Sequence, residues 1–127
     1  MKKIIVTTNN APAAIGPYSQ GIIFNNLIFT SGQIPVHPST GHIPKDIAGQ
    51  AWQAFENLKH LLEAGKSNLH NVIKVTIFIK NMNDFSIINE VYSQFFKIKY
   101  PARSCIEVSK LPRGVMIEIE AIAFIND

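Results

Sequence analysis

Val115-Met116-Ile117-Glu118-Ile119-Glu120-Ala121-Ile122-Ala123-Phe124-Ile125 alternates with a period of two, the pleat of a β-strand. Its odd-numbered positions, Val115, Ile117, Ile119, Ala121, Ala123 and Ile125, make one wholly apolar face. The even ones set Glu118 and Glu120 among Met116, Ile122 and Phe124. An all-apolar face belongs under helices. A face that is half apolar and half acidic is poorly suited to bulk water, and a neighbouring subunit would both bury Ile122 and Phe124 and enclose the carboxylates. This strand therefore predicts a layered subunit in a homo-oligomer, with sites at its interfaces.

Working outward from it, the rest of the chain supplies the partners. Lys3 to Thr7 reads as a short strand, and Gly21 to Phe24 and Leu27 to Ser31 flank Asn25-Asn26, a pair that tolerates the positive φ of a two-residue hairpin turn. Three prolines between Pro35 and Pro44, with Ser39, Thr40 and Gly41, exclude regular structure and predict an exposed loop. Asp46 can cap a helix whose apolar positions Ile47, Ala51, Phe55, Leu58 and Leu62 recur every three or four residues, with Gly65 as a left-handed terminator. From Val72 to Lys80 the odd positions Ile73, Val75, Ile77 and Ile79 are apolar, as in a half-buried strand. A second helix is expected from about Asp84 to Ile98, with Phe85, Ile88, Tyr92 and Phe95 on one stripe, before Pro101 forbids continuation. A further strand from Arg103 to Val108 precedes the last. The order predicts an α+β fold, a single mixed sheet with two helices on one face.

Composition bounds the function. The 127 residues, 46% hydrophobic and 17% charged, read as one globular domain spanning 1–127, with no linker or internal repeat. The apolar run Ile4-Ile5-Val6 is too short for a signal peptide or membrane span, so the expected location is cytoplasmic. The lone Cys105 suits a reducing compartment and makes neither an internal disulfide nor a zinc cluster. The net charge of +3 comes from 12 basic and 9 acidic residues, but the lysines are scattered and only Arg103 and Arg113 are arginines. That is no stripe for nucleic acid.

Arg103 stands at the mouth of its strand, and a guanidinium fork near a half-buried carboxylate is what a small site needs to hold and protonate a small organic acid. The competing reading is an ion pair between adjacent strands, joining Arg103 to Glu118 or Glu120; alternation leaves the two acids equivalent. It also places Cys105 on the same face as Arg103, about 7 Å along the strand. No histidine is near Cys105 in sequence, so a packing or backbone role outweighs a nucleophilic one. His37 and His42 share the proline loop, with His60 and His70 distant, a spacing that suggests solvated side chains and no metal site. Gly16 and Gly21 mimic a phosphate loop, yet Ile22-Ile23 stands where Lys and Ser or Thr are required.

Pro101-Ala102-Arg103-Ser104, then Leu111-Pro112, then Ile117-Glu118-Ile119-Glu120-Ala121 resembles the C-terminal signature of the Rid (YjgF-like) family. Ala14-Ile15-Gly16-Pro17-Tyr18-Ser19-Gln20, Thr30-Ser31-Gly32-Gln33-Ile34-Pro35 and Asn83-Asp84-Phe85 resemble its other motifs, so the likeness covers essentially the whole chain. The likeness implies a chorismate-mutase-like subunit in a homotrimer built around a β-barrel, with clefts between subunits; the chain's poverty in other motifs fits a site that supplies orientation and one proton relay without metal or organic cofactor. The resemblance further implies deamination of 2-iminobutanoate and 2-iminopropanoate, the tautomers of reactive enamines such as 2-aminoacrylate, to 2-oxo acids and ammonia. Carried over residue by residue, the carboxylate-binding arginine falls on Arg103, the cleft carboxylate on Glu118, and the lining on Tyr18, Ser31, Gly32, Asn89 and the backbone at Cys105.

The implied partners are small 2-imino or 2-oxo carboxylic acids. A planar guanidinium pairs with their carboxylate bidentately, while a carboxyl group shuttles the proton that imine hydrolysis requires. Burial raises the pKa of such a carboxyl and a nearby Arg103 lowers it. Two rival functions use the same chain differently. A non-catalytic trimer sensing small carboxylates would need the same arginine, and an endoribonuclease or translation inhibitor, an activity ascribed to some relatives, lacks its basic stripe here.

Overall fold

Alternation along the last strand is realised in the computed structural model, which describes residues 2–126. Six strands, β1 (Lys3–Val6), β2 (Gly21–Phe24), β3 (Leu27–Thr30), β4 (Val72–Ile79), β5 (Ala102–Glu107) and β6 (Ile117–Phe124), form one sheet in the order β1-β2-β3-β6-β4-β5. Two helices, α1 (Ile47–Ala64) and α2 (Phe85–Phe95), complete the α+β architecture. All pairings are antiparallel except β4 with β5, whose connection through α2 returns the chain to run in the same direction. The sheet is therefore mixed.

Ile117, Ile119, Ala121 and Ala123 lie in one core with Ile28, Val75, Ile77 and the α1 residues Ala51, Phe55, Leu58 and Leu62. Tyr92 edges onto Phe55, with centroids 5.7 Å apart, which brings α2 onto the same side as α1. The opposite face of the sheet carries Phe29, Ile106, Ile122 and Phe124 with Glu118, Glu120, Lys74 and Thr76. No helix among the described residues covers it, and Phe124 remains 42% exposed.

Local chemistry sets the boundaries. Asp46 caps α1 by accepting from the Gly49 amide at 2.9 Å, and Asn25 takes the positive φ, 57°, of the two-residue turn between β2 and β3. At the end of α1 the left-handed residue is Lys66, φ 64°, and not Gly65, φ −96°. Lys66 N donates to Glu63 O and Ser67 N to Leu62 O, the paired bonds of a Schellman termination. Gly65 is needed for space, since a Cβ there would strike the Ile28 side chain.

Three further expectations are corrected. A bulge between Val72 and Lys74 puts both against the single step from Ala123 to Ile122, so Val72 turns inward and Ile73, at 46% exposure, outward. The second helix stops at Phe95 rather than Ile98, as Phe96 is extended at φ −120° and ψ 111°. The proline loop is exposed only at its tip, residues 39–42, whereas Pro35 and Val36 are buried. Fully buried Asn57 on α1 donates to the carbonyls of both Ile34 and Val36 at 3.0 Å, which anchors the loop root.

Candidate functional site

Arg103 lies on β5 opposite Val75, so it shares the helix-covered face. Its guanidinium donates to Asn89 Oδ1 on α2 at 2.7 Å, and its Cζ sits 4.7 Å from the Tyr92 ring centroid and 5.4 Å from that of Phe85. Phe85, Asn89 and Tyr92 are one helical stripe, spaced by four and three residues. A cavity of about 350 Å³ opens here, lined by Asn89, Tyr92, Ser93, Tyr100, Pro101 and Arg103. Cys105 follows on the same face, packed against the core edge. Burial pushes its thiol pKa up, outweighing the opposite pull of Arg103, so it remains a thiol and a poor nucleophile.

No carboxylate among the described residues pairs with Arg103. Among the described residues the one contact of salt-bridge type joins His60 and Glu56. The interstrand ion pair is ruled out by topology as well, because β4 lies between β5 and β6. A half-buried guanidinium whose partners are a neutral amide and two rings leaves most of its donors for an anion.

Glu118 lies on β6 opposite Phe78, on the uncovered face. The strand beside it is deformed to make room: residues 29 to 33 run past residues 122 to 119, one residue extra on the β3 side. Thr30 Oγ1 fills the gap in the ladder by accepting from Ala121 N at 3.0 Å. This bulge presses Gly32 onto the carboxylate so closely that a Cβ would overlap Glu118 Oε2. Desolvation raises the Glu118 pKa above the ordinary carboxylate range, and Glu120, two residues along the same face, raises it further.

Tyr18 and Ser31 flank Gly32. Ser31 Oγ donates to Ser19 O at 2.6 Å and Ser31 N to Gln20 O at 2.8 Å, which ties the segment carrying Tyr18 to the end of β3. Gln20, buried among polar partners, accepts from Thr8 N at 2.8 Å and donates to Pro12 O at 2.8 Å. Tyr18 itself is 52% exposed and lines, with Gly32, Gln33, His37 and Arg113, a cleft of about 270 Å³. Its ring is a surface element and not part of the core.

The seven singled-out residues thus fall into two groups. Arg103, Asn89 and Cys105 share the helix side at the β5 edge; Tyr18, Ser31, Gly32 and Glu118 gather at the β3–β6 boundary, with Glu118 facing the other way. Tyr92 and Gln20 escaped the sequence reading as site residues. Tyr92 was legible as a member of the apolar stripe of α2, and its place three residues after Asn89 is the signal that it meets whatever Asn89 meets. Gln20 carries no such signal, since its three-way backbone bonding depends on where the N-terminal loop lies.

The family model described as Endoribonuclease L-PSP matches residues 8–125. The chain is 51% identical over 121 residues to the 2-iminobutanoate/2-iminopropanoate deaminase of Escherichia coli strain K12, covering 93% of this chain and 94% of the relative. The crystal structure of E. coli TdcF with bound serine superposes with a TM-score of 0.93 at 49% identity, covering 97% of this chain and 99% of that one. YyfA of the Rid protein family from Yersinia pestis superposes at 0.95 with 44% identity, covering 98% and 100%. No helix among the described residues is long and apolar enough to cross a membrane.

Proposed function

The chain belongs to the endoribonuclease L-PSP (YjgF/Rid) family, and we propose that it deaminates 2-iminobutanoate and 2-iminopropanoate by hydrolysis in a cleft between two copies of itself. The observation that carries the proposal is Arg103, which has no carboxylate partner among the described residues: a half-buried guanidinium, fixed by Asn89, in a cavity with no carboxylate among its lining residues. Such a group binds a small carboxylate with the energy and planarity of a bidentate pair.

Arg103 holds the substrate carboxylate, which fixes the adjoining C=N carbon. Water adds its oxygen to that carbon while the nitrogen takes a proton, giving a carbinolamine. The C–N bond then breaks, its electron pair leaving with nitrogen as ammonia, and the hydroxyl loses its proton as the 2-oxo acid forms. Glu118 accepts a proton from the water and returns one to nitrogen. Its raised pKa brings that exchange closer to neutral pH, where a shuttle works best. Tyr18, Ser31 and Gly32 shape the wall beside it.

Arg103 and Glu118 lie on opposite faces of one sheet, so a site using both draws them from different copies. The uncovered apolar residues Phe29, Ile122 and Phe124 supply the surface on which copies meet. We take the assembly as a homotrimer, one 1–127 domain per subunit. A regulatory trimer that only binds 2-oxo acids would use the same arginine, and turnover separates the two. Generating 2-iminobutanoate in situ with an amino-acid oxidase and following its loss should show acceleration by micromolar protein; unchanged loss would sink the deaminase reading.

A further inference from the structure

We infer that Tyr92 is a positioning residue that acts through Arg103: its ring backs the guanidinium and holds it in the orientation that meets a carboxylate. Arg103 comes from an edge strand, and its long side chain would otherwise sample many rotamers. Asn89 fixes one nitrogen at 2.7 Å, which sets a point but not the plane. The second constraint is the Tyr92 ring, 4.7 Å from Cζ, within the range of a cation–π contact.

That ring is itself immobilised. It stacks on Phe96 with centroids 4.6 Å apart and an interplanar angle of 28°, and meets Phe55 edge-on at 5.7 Å and 77°. Phe55 is fully buried, so the guanidinium is referenced to the centre of the core through two rings. Tyr92 also lines the cavity with Asn89 and Arg103. Phe85, at 5.4 Å, is a weaker second ring. Asn89 and Tyr92 occupy the same stripe of α2, so one helix sets both the hydrogen-bonded atom and the plane.

The inference rests on the deaminase reading for its kinetic consequence and on Arg103 alone for its structural one, so both are measured. Three proteins are compared with wild type: Tyr92→Phe, Tyr92→Leu, and the protein with Tyr92 replaced by pentafluorophenylalanine, which keeps ring packing while reversing the charge of the ring face. With only two arginines, Arg103→Lys assigns the Arg103 Nε–H signal by loss. In wild type and Tyr92→Phe that signal should be ring-shifted away from Arg113, and in Tyr92→Leu it should move toward it. KM should rise roughly tenfold in the leucine and pentafluoro proteins with kcat within about twofold, and stay near wild type in Tyr92→Phe. An Arg103 signal unmoved in folded Tyr92→Leu overturns the inference. So does an unchanged KM in the pentafluoro protein, which tests the contact even where leucine fails to fold. Absence of turnover by wild type would remove the deaminase reading, and the resonance shift would still decide whether Tyr92 positions Arg103.

Discussion

Arg103 and Glu118 make opposite demands on their surroundings. The guanidinium has no counter-charge among the described residues, and the carboxyl is left partly desolvated beside Glu120. Arg103→Ala should lower kcat/KM by roughly a hundredfold or more, the worth of a charge-assisted bidentate pair, and abolish 2-oxobutanoate binding measured by calorimetry. Glu118→Gln should leave that binding nearly intact while lowering kcat by about a hundredfold or more; full activity would remove Glu118 from the proton relay. Stability gives a second readout. Because the folded-state pKa of Glu118 is raised, the native state holds the proton harder, and ionisation costs stability as pH rises from the unfolded pKa through the folded one. Glu118→Gln should therefore melt higher than wild type above the carboxylate range and at the same temperature below it. The residue types at both positions were legible in the chain, and so was the possibility of a pair. Their separation was not, since it depends on β4 lying between β5 and β6, a long-range pairing that no local pattern encodes.

Among the elements, periodicity located β4, β6 and both helices while apolar runs and turn residues marked the other strands, and the errors have physical causes. Ile73 is apolar and points outward because the bulge at Val72 and Lys74 shifts the pleat by one, which an unbroken alternation cannot reveal. The bulge after β3 was equally hidden, although its glycine, Gly32, was singled out through the family motif. Gly32→Ala should drive Glu118 out of place and reduce kcat sharply while the far-ultraviolet circular dichroism stays native; wild-type kcat would mean that the carboxylate is free to move aside. Asn57 illustrates a polar residue on a helix face that reads as core. Its amide holds the Ile34 and Val36 carbonyls, so Asn57→Leu should destabilise by about 2–3 kcal/mol in urea titration, the cost of orphaning buried acceptors. Asp46→Ala, which loses a surface cap, should cost about 1 kcal/mol in the same titration.

For the whole molecule, the informative surface is the sheet face that no helix covers. Mixed acidic and apolar alternation in β6 marked it in advance, and Phe29 beside Ile122 extends it onto β3. In the proposed assembly, burying this face between copies would supply the driving force and carry Glu118 to a boundary that Arg103 of another copy can reach. Ile122→Lys, charged at the centre of that face, should shift the light-scattering mass from three times the 14.2 kDa chain toward one, with loss of turnover. The most direct test is complementation. Arg103→Ala and Glu118→Gln chains are co-expressed with different tags, and the doubly purified mixed assembly is assayed for 2-iminobutanoate loss. If each cleft takes its arginine from one copy and its glutamate from the next, every trimer that carries both tags has one intact cleft of its three, and activity should return to about a third of wild type. A mixed assembly as inactive as either parent would contradict a site shared between subunits.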